Sequence, residues 1–296
     1  MIRRSGAPPS VEARRTAAPG LPEIVRWEPV GSRPTTAALV LAGSSGRVDV
    51  DRARVLAELG VTAETLRWFG GPGQPAAPVE VPLEPVLARV ADLARAHART
   101  VVVATSFGTE LALLVARHAG TGAVAGVAAF APSDVVWAGV REDGTQTSHW
   151  TLGGRPLPFL AFDETWTPVD DPPSYTDLYR CSRRRATEDA VAAARLPADV
   201  PELLLVTGGD DRVWPATEHA EQLVLRRRGA GLPTTHLHLA EAGHRAVLPG
   251  EPEVVAGQRM ARGGTPVADR RLGAAAWPAL QRLVLGAPPD GGAREG

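Results

Sequence analysis

Short apolar runs alternate with amphipathic stretches along most of this chain. Ala37–Leu41, Val101–Val103, Val124–Phe130 and Leu203–Val206 are continuous apolar segments of strand length, as expected of strands buried on both faces. Glu23 to Val30 alternates and predicts an edge strand; Val61 to Trp68 and Thr234 to Leu239 complete the set. Asp51 to Leu59 has helical spacing and stops at Gly60 in the C′ position. Pro85 opens a helix to about Ala98 with Val86, Val90, Leu93 and Ala94 on one face. A last helix follows Gly263-Gly264-Thr265-Pro266 and runs through Trp277 to Leu285. Strands and helices that alternate over short links predict an α/β domain with a mostly parallel, doubly wound sheet over residues 22–285. The alternation lapses from Pro132 to about Pro201, a stretch holding Trp137, Trp150 and Trp166 among many prolines. A structureless loop of that length is unusual, so 132–201 reads as a partly ordered, lid-like insertion. Residues 1–21 read as a mobile lead without core residues, and 286–296 as a disordered tail.

The chemistry gathers where the predicted strands end. Thr105-Ser106-Phe107-Gly108 is so short a link between strand and helix that Ser106 must stand at its apex. A serine there presents its hydroxyl to solvent, and the helix that follows aims its first N–H groups at the same point. This is a nucleophile elbow written A-x-S-x-G, with Ala104 in place of the usual first glycine. Strand Leu203–Val206 runs into Thr207-Gly208-Gly209-Asp210-Asp211-Arg212-Val213-Trp214-Pro215, which offers an acid. Asp211 sits better than Asp210 relative to the Val-Trp-Pro step, and Asp210 reads as a loop-capping neighbour. Beyond the last strand, Glu241-Ala242-Gly243-His244 places a histidine in a small-residue turn. The order Ser106, Asp211, His244 is that of α/β-hydrolases, and it predicts the α/β-hydrolase fold with a Ser-His-Asp triad. The backbone N–H groups of Phe107 and of Ser44, in the Gly43-Ser44-Ser45 loop, are the expected oxyanion donors. Trp137, on the segment leaving the sheet beside the Ser106 strand, is the expected substrate-pocket aromatic.

With those motifs in place the chain resembles the C-terminal catalytic domain of the acyl-CoA thioesterase and bile acid-CoA:amino acid N-acyltransferase family. AGSSG, SFGTELALLVARH, VAAFAPSDVVWAG, WTLGGRPLPF, GGDDRVWPATEHAEQLVLRRRG, AGHRAVLPGEP and GGTPVADRRLGAAAWPAL carry the resemblance, collinearly from about residue 35 to 285. It implies Ser106 as nucleophile, Asp211 as acid and His244 as base. The amidating members use cysteine at the nucleophile position; serine here matches the thioesterases. Residues 1–21 offer no counterpart to the N-terminal β-sandwich of the animal members. The implied activity is hydrolysis of an acyl thioester, on coenzyme A or an acyl carrier protein, with no cofactor. Acyl transfer to an amine or alcohol, including cyclisation, and general carboxylester hydrolysis are the alternatives; a non-enzymatic scaffold fits an intact triad poorly.

Composition narrows the remaining possibilities. The chain has 296 residues, 44% hydrophobic, enough for one large core. Its net charge of −1 is spread along the sequence and points to no nucleic-acid partner. All 32 basic residues are arginine, which excludes lysine chemistry. A single cysteine, Cys181, allows no internal disulfide and reads as an inert small residue. No signal-like h-region and no membrane-length apolar run is present, so the expectation is a cytoplasmic protein. His236 and His238 share a strand face but lack a third ligand, so no metal site is expected. Arg183-Arg184-Arg185 and Arg226-Arg227-Arg228 read as solvated helix faces.

Overall fold

A computed structural model of the protein describes residues 8–16, 22–254 and 258–286. The outer parts of the expected lead and tail, 1–7, 17–21 and 287–296, lie outside the described residues. In chain order the elements are β1 (Val11–Thr16), β2 (Ile24–Pro29), β3 (Thr36–Leu41), α1 (Val50–Ala57), β4 (Thr62–Leu66), β5 (Val81–Pro82) and α2 (Glu84–Ala96). The elbow follows, between β6 (Arg99–Thr105) and α3 (Phe107–His118), and then β7 (Gly126–Phe130). The inserted region holds β8 (Ala138–Val140), β9 (Gln146–Ser148), β10 (Trp150–Leu152), β11 (Arg155–Pro156), α4 (Thr176–Arg185) and α5 (Glu188–Ala194). The chain returns to the sheet with β12 (Glu202–Gly208), α6 (Ala216–Gly229), β13 (Thr234–Leu239) and α7 (Pro266–Leu285).

Eight strands form the central sheet in the order β1-β2-β4-β3-β6-β7-β12-β13. From β4 to β13 every neighbouring pair is parallel, whereas β1 and β2 are antiparallel additions at one side. The β2 segment was expected at the edge. It is instead covered by β1, whose Arg14 and Arg15 pair with Arg26 and Val25. That strand falls within the stretch 1–21 expected to be a mobile lead. Five of its six residues are exposed, so it joins the sheet through backbone pairing and leaves no apolar signature to read.

The parallel strands send alternate residues to two cores, as their two-residue period requires. Leu39, Val102, Leu203 and Leu205 face α2, α3 and α6 through Val90, Leu93, Leu111 and Leu223. Val40, Val101, Val103, Leu204 and Val206 face α1 and α7 through Leu56, Leu272, Ala276 and Leu280. Both faces being covered explains why these strands read as unbroken apolar runs. The chain places β4 on one side of β3 and then β6 on the other. The reversal leaves a crevice at the C-terminal ends of β3 and β6, the usual place for a ligand in such sheets.

One glycine sets how closely α3 approaches that crevice. A Cβ on Gly108 would lie 2.5 Å from the Ala42 carbonyl oxygen and 2.7 Å from that of Leu41, both rigid backbone. Gly108→Ala is therefore expected to cost about 1–3 kcal/mol as an overpacked site. Urea unfolding checks this; an unchanged midpoint would show that the helix can shift freely.

The insertion is ordered by a few polar ties and an aromatic cluster. β8 and β9 form a hairpin, and β10 pairs with β11 and, in parallel, with β5. Glu110, on α3 one turn after Ser106, is fully buried and accepts a bond from Trp150 Nε1 at 2.8 Å. A carboxylate on the elbow helix thus anchors the inserted region to the sheet domain.

Candidate active site

Ser106 has φ 58° and ψ −132°, and its side chain is nearly buried. Positive φ in a residue other than glycine is strained and persists only where the surroundings hold it. Here the Ser106 N–H donates to the Phe130 carbonyl at 2.9 Å, and the Ser106 carbonyl accepts from Thr109 N and Thr109 Oγ1, both at 2.7 Å. Phe107 opens α3, so its N–H belongs to the first turn, which has no intrahelical acceptors.

Asp211 and His244 leave the C-terminal ends of β12 and β13. His244 Nδ1 donates to Asp211 Oδ2 at 2.8 Å, and both side chains are buried. Asp211 Oδ1 accepts from the N–H groups of Val213 (2.9 Å) and Trp214 (3.2 Å). With three donors on its two oxygens, the carboxylate is fixed in orientation and suited to hold one imidazole tautomer. The His244 N–H donates to the Arg262 carbonyl at 2.9 Å, and the Gly243 N–H donates to Asp269 Oδ1 at 2.7 Å. Asp210 lies beside this couple without joining it: it accepts from Arg212 Nε and from the Gly264 N–H, each at 2.8 Å. The Arg212 bond, with help from Gly264, holds its carboxyl below the usual range.

Ser106 and His244 open on one cleft, whose floor also includes Gly43, Ser44 and Ser45. Gly43 backs directly on the serine, since a Cβ there would lie 2.8 Å from Ser106 Cβ. Among the described residues no hydrogen bond joins Ser106 Oγ to His244; such contacts commonly tighten only when substrate binds. Chemically the arrangement offers a serine hydroxyl on strained backbone and an imidazole held by a carboxylate, beside the start of α3 and the loop after β3.

Trp137 does not fall where the sequence suggested. It is fully buried and absent from the described residues lining the cleft. Its ring stacks on Phe162 and meets Tyr179 and His219 edge-on. A ring of that size buries itself between α4 of the insertion and α6. The Trp137→Ala change is then a core deletion, expected to cost about 3–5 kcal/mol in a denaturation experiment. A loss below 1 kcal/mol would return Trp137 to the surface of the pocket. Trp214 links the regions, meeting Phe107, Tyr179 and His244 edge-on.

The arginine runs are solvated faces only in part: Arg184, Arg185 and Arg228 are exposed as expected, whereas Arg183, Arg226 and Arg227 turn inward. Arg183 makes two bonds to buried Asp134, at 2.6 and 3.0 Å, and His219 Nδ1 makes a third at 2.6 Å. Burial alone would raise the Asp134 carboxyl, but His219 and Arg183 outweigh it and hold it well below the usual range. Arg226 donates to the Leu196 and Asp134 carbonyls, and Arg227 is buried among the carbonyls of Ala198, Val200, Pro201 and Pro233. Cys181 is a free thiol on α4 with Arg184 at 3.0 Å. His236 Nε2 and His238 Nδ1 share the Thr207 hydroxyl at 2.8 and 3.1 Å. Among the described residues no group of three or more His, Cys, Asp or Glu could hold a metal ion, and no helix is long and apolar enough to cross a membrane.

Local sequence gave no signal for Arg52, which ties the elbow to the histidine loop. It donates to Thr105 Oγ1 at 2.8 Å and the Ala246 carbonyl at 2.9 Å, and pairs with Glu251 at 2.6 Å.

The parallel sheet, the serine at its sharp strand-to-helix turn and the acid and histidine loops at later strand ends define the α/β-hydrolase fold. Solved structures share it across nearly the whole chain. A Klebsiella pneumoniae protein assigned as a dienelactone hydrolase aligns with a TM-score of 0.56 and 14% identity, over 94% of this chain and 100% of the other. An arylesterase aligns with 0.54 and 10%, over 93% and 84%. A lipase in its open form aligns with 0.53 and 15%, over 93% and 99%. No family model matches the sequence, and no curated protein does either.

Proposed function

We propose that the protein is a serine hydrolase that cleaves an acyl thioester or ester through a covalent acyl-enzyme. The observation that carries this reading is the strained Ser106 sharing a cleft with an imidazole that Asp211 holds by Nδ1. The thioester class rests on the sequence resemblance, and oxygen esters are the class named for the arylesterase of similar fold.

In this mechanism His244 Nε2 takes the Ser106 proton as Oγ attacks the carbonyl carbon. It then gives that proton to the departing thiol or alcohol. Asp211 fixes the imidazole and stabilises its charged form without taking the proton itself. The oxyanion is met by the Phe107 N–H and by the Ser44 N–H of the β3 loop. The loss of one such donor typically costs about 3 kcal/mol of barrier. Water then attacks the acyl-enzyme, with His244 now removing its proton, and Ser106 is regenerated. A serine ester resists amines better than a cysteine thioester does, which favours water over an amine as acceptor.

The test is a matched pair of acyl donors, an N-acetylcysteamine thioester and a p-nitrophenyl ester of the same acid. Saturable release of thiol and nitrophenol, with free acid as product even in the presence of amines, is expected. Amide formation that outruns hydrolysis would make the protein a transferase.

A further inference from the structure

Three guanidinium groups line the cleft that holds Ser106 and His244: Arg47, Arg245 and Arg262. Among the described residues lining it there is no aspartate or glutamate. The three arrive from different segments, the loop after β3, the residue after His244 and the loop before α7. Local sequence therefore does not announce the cluster. Building on the hydrolase reading, we propose that the substrate carries an anionic group within a few bonds of the carbonyl that Ser106 attacks, and that these arginines bind it.

The three guanidinium groups act on one another across the cleft. Burial first, then the charges of Arg262 and Arg47, bring the Arg245 guanidinium down to about 10 against a smaller opposing effect of Asp49 and Asp269. Arg262 is likewise lowered, first by burial and then by Arg47. Gathering like charges beside a nucleophile is costly unless a negative partner joins them. Asp49 pairs with Arg47 at 3.8 Å and lines a neighbouring cleft together with Arg47 and Arg245 themselves, and Asp211 is committed to His244 and two backbone N–H groups.

The geometry of the arginines suits recognition. Arg245 donates to the Val254 carbonyl at 2.6 Å, and Arg262 to the carbonyls of Gln258 (2.7 Å) and Met260 (3.3 Å). Arg262 thus spends one N–H of each terminal nitrogen on its own loop and has three further N–H groups. The same cleft contains the reacting serine, so the anion belongs to a short acid or a short leaving group. A charge at the far end of a long carrier would lie outside it.

The experiment compares p-nitrophenyl hemiglutarate with p-nitrophenyl pentanoate, which places the charge in the acyl part. It also compares S-acetyl thioglycolate with S-ethyl thioacetate, which places it in the leaving group. In one of the two pairs the charged donor is expected to have the higher kcat/KM by about tenfold or more at low salt, since hydrogen bonds to charged groups are of that strength. The charged-to-neutral ratio should fall about tenfold in Arg262→Gln and in Arg47→Gln, and recover in part in Arg262→Lys. Equal turnover of charged and neutral donors in both pairs, or a ratio unchanged in the Arg47→Gln/Arg262→Gln double variant, would overturn the proposal while leaving the hydrolase reading intact. Calorimetry on Ser106→Ala gives an arm independent of turnover. Glutarate or inorganic phosphate should bind, which tells the two anions apart, and dimethyl glutarate should not. Absence of binding by both anions would overturn the site even if no donor is ever cleaved.

Discussion

Ser106→Ala is expected to lower kcat/KM for an activated ester by about 10,000-fold or more, with the folded state retained. The size follows from removing the nucleophile of a unit whose members act together, so that what remains is background catalysis by the donors and by binding. Stability should change little or rise, because alanine removes a hydroxyl but not the backbone bonds to Phe130 and Thr109 that hold the turn. Cys181→Ala supplies the contrast. The only thiol of the chain sits on α4 beside Arg184 and is expected to be dispensable. If Ser106→Ala kept more than a hundredth of the wild-type rate, another residue would have to be the nucleophile.

Asp211→Asn should cost about 10,000-fold in kcat at neutral pH, the loss seen when a triad acid is replaced by its amide. Asparagine keeps the shape and one carbonyl oxygen. It puts an NH₂ group, however, either against the Val213 and Trp214 N–H groups or against His244 Nδ1. Oriented with oxygen on the backbone donors, it presents its NH₂ to the ring, stabilising the tautomer whose Nε2 carries the proton and cannot accept the one from serine. Asp210→Asn is the control. It loses the charge on the Arg212 contact and should leave turnover within a few-fold. Equal losses at both positions would point to collapse of the loop as a whole.

Much of this was legible because it is local. Buried parallel strands read as apolar runs, and the catalytic candidates lie within five residues of strand ends. Spacing thus placed Ser106, Asp211 and His244 on loops at the C-terminal ends of the strands. Asp211 could be preferred to Asp210 from its distance to Val213-Trp214-Pro215, and the hydrogen bond to His244 agrees. What escaped depends on non-local contacts. β1 pairs through its backbone, so a polar stretch with two arginines looked like a lead. Arg226 and Arg227 bury their charge among carbonyls supplied by the 196–201 segment and Pro233. Trp137 is an aromatic near the site in sequence terms, but its size drew it into the cluster with Phe162 and Tyr179. The arginine-lined mouth joins residues 47, 245 and 262, which only the folded chain brings together.

The most direct test of the central claim is to treat the protein with a fluorophosphonate, digest it and locate the adduct by mass spectrometry. The account predicts one phosphonyl group per chain, on the peptide containing Ser106, with labelling slowed in Asp211→Asn and absent in Ser106→Ala. A wild-type protein that takes no label, or an adduct on another residue that persists in Ser106→Ala, would contradict it.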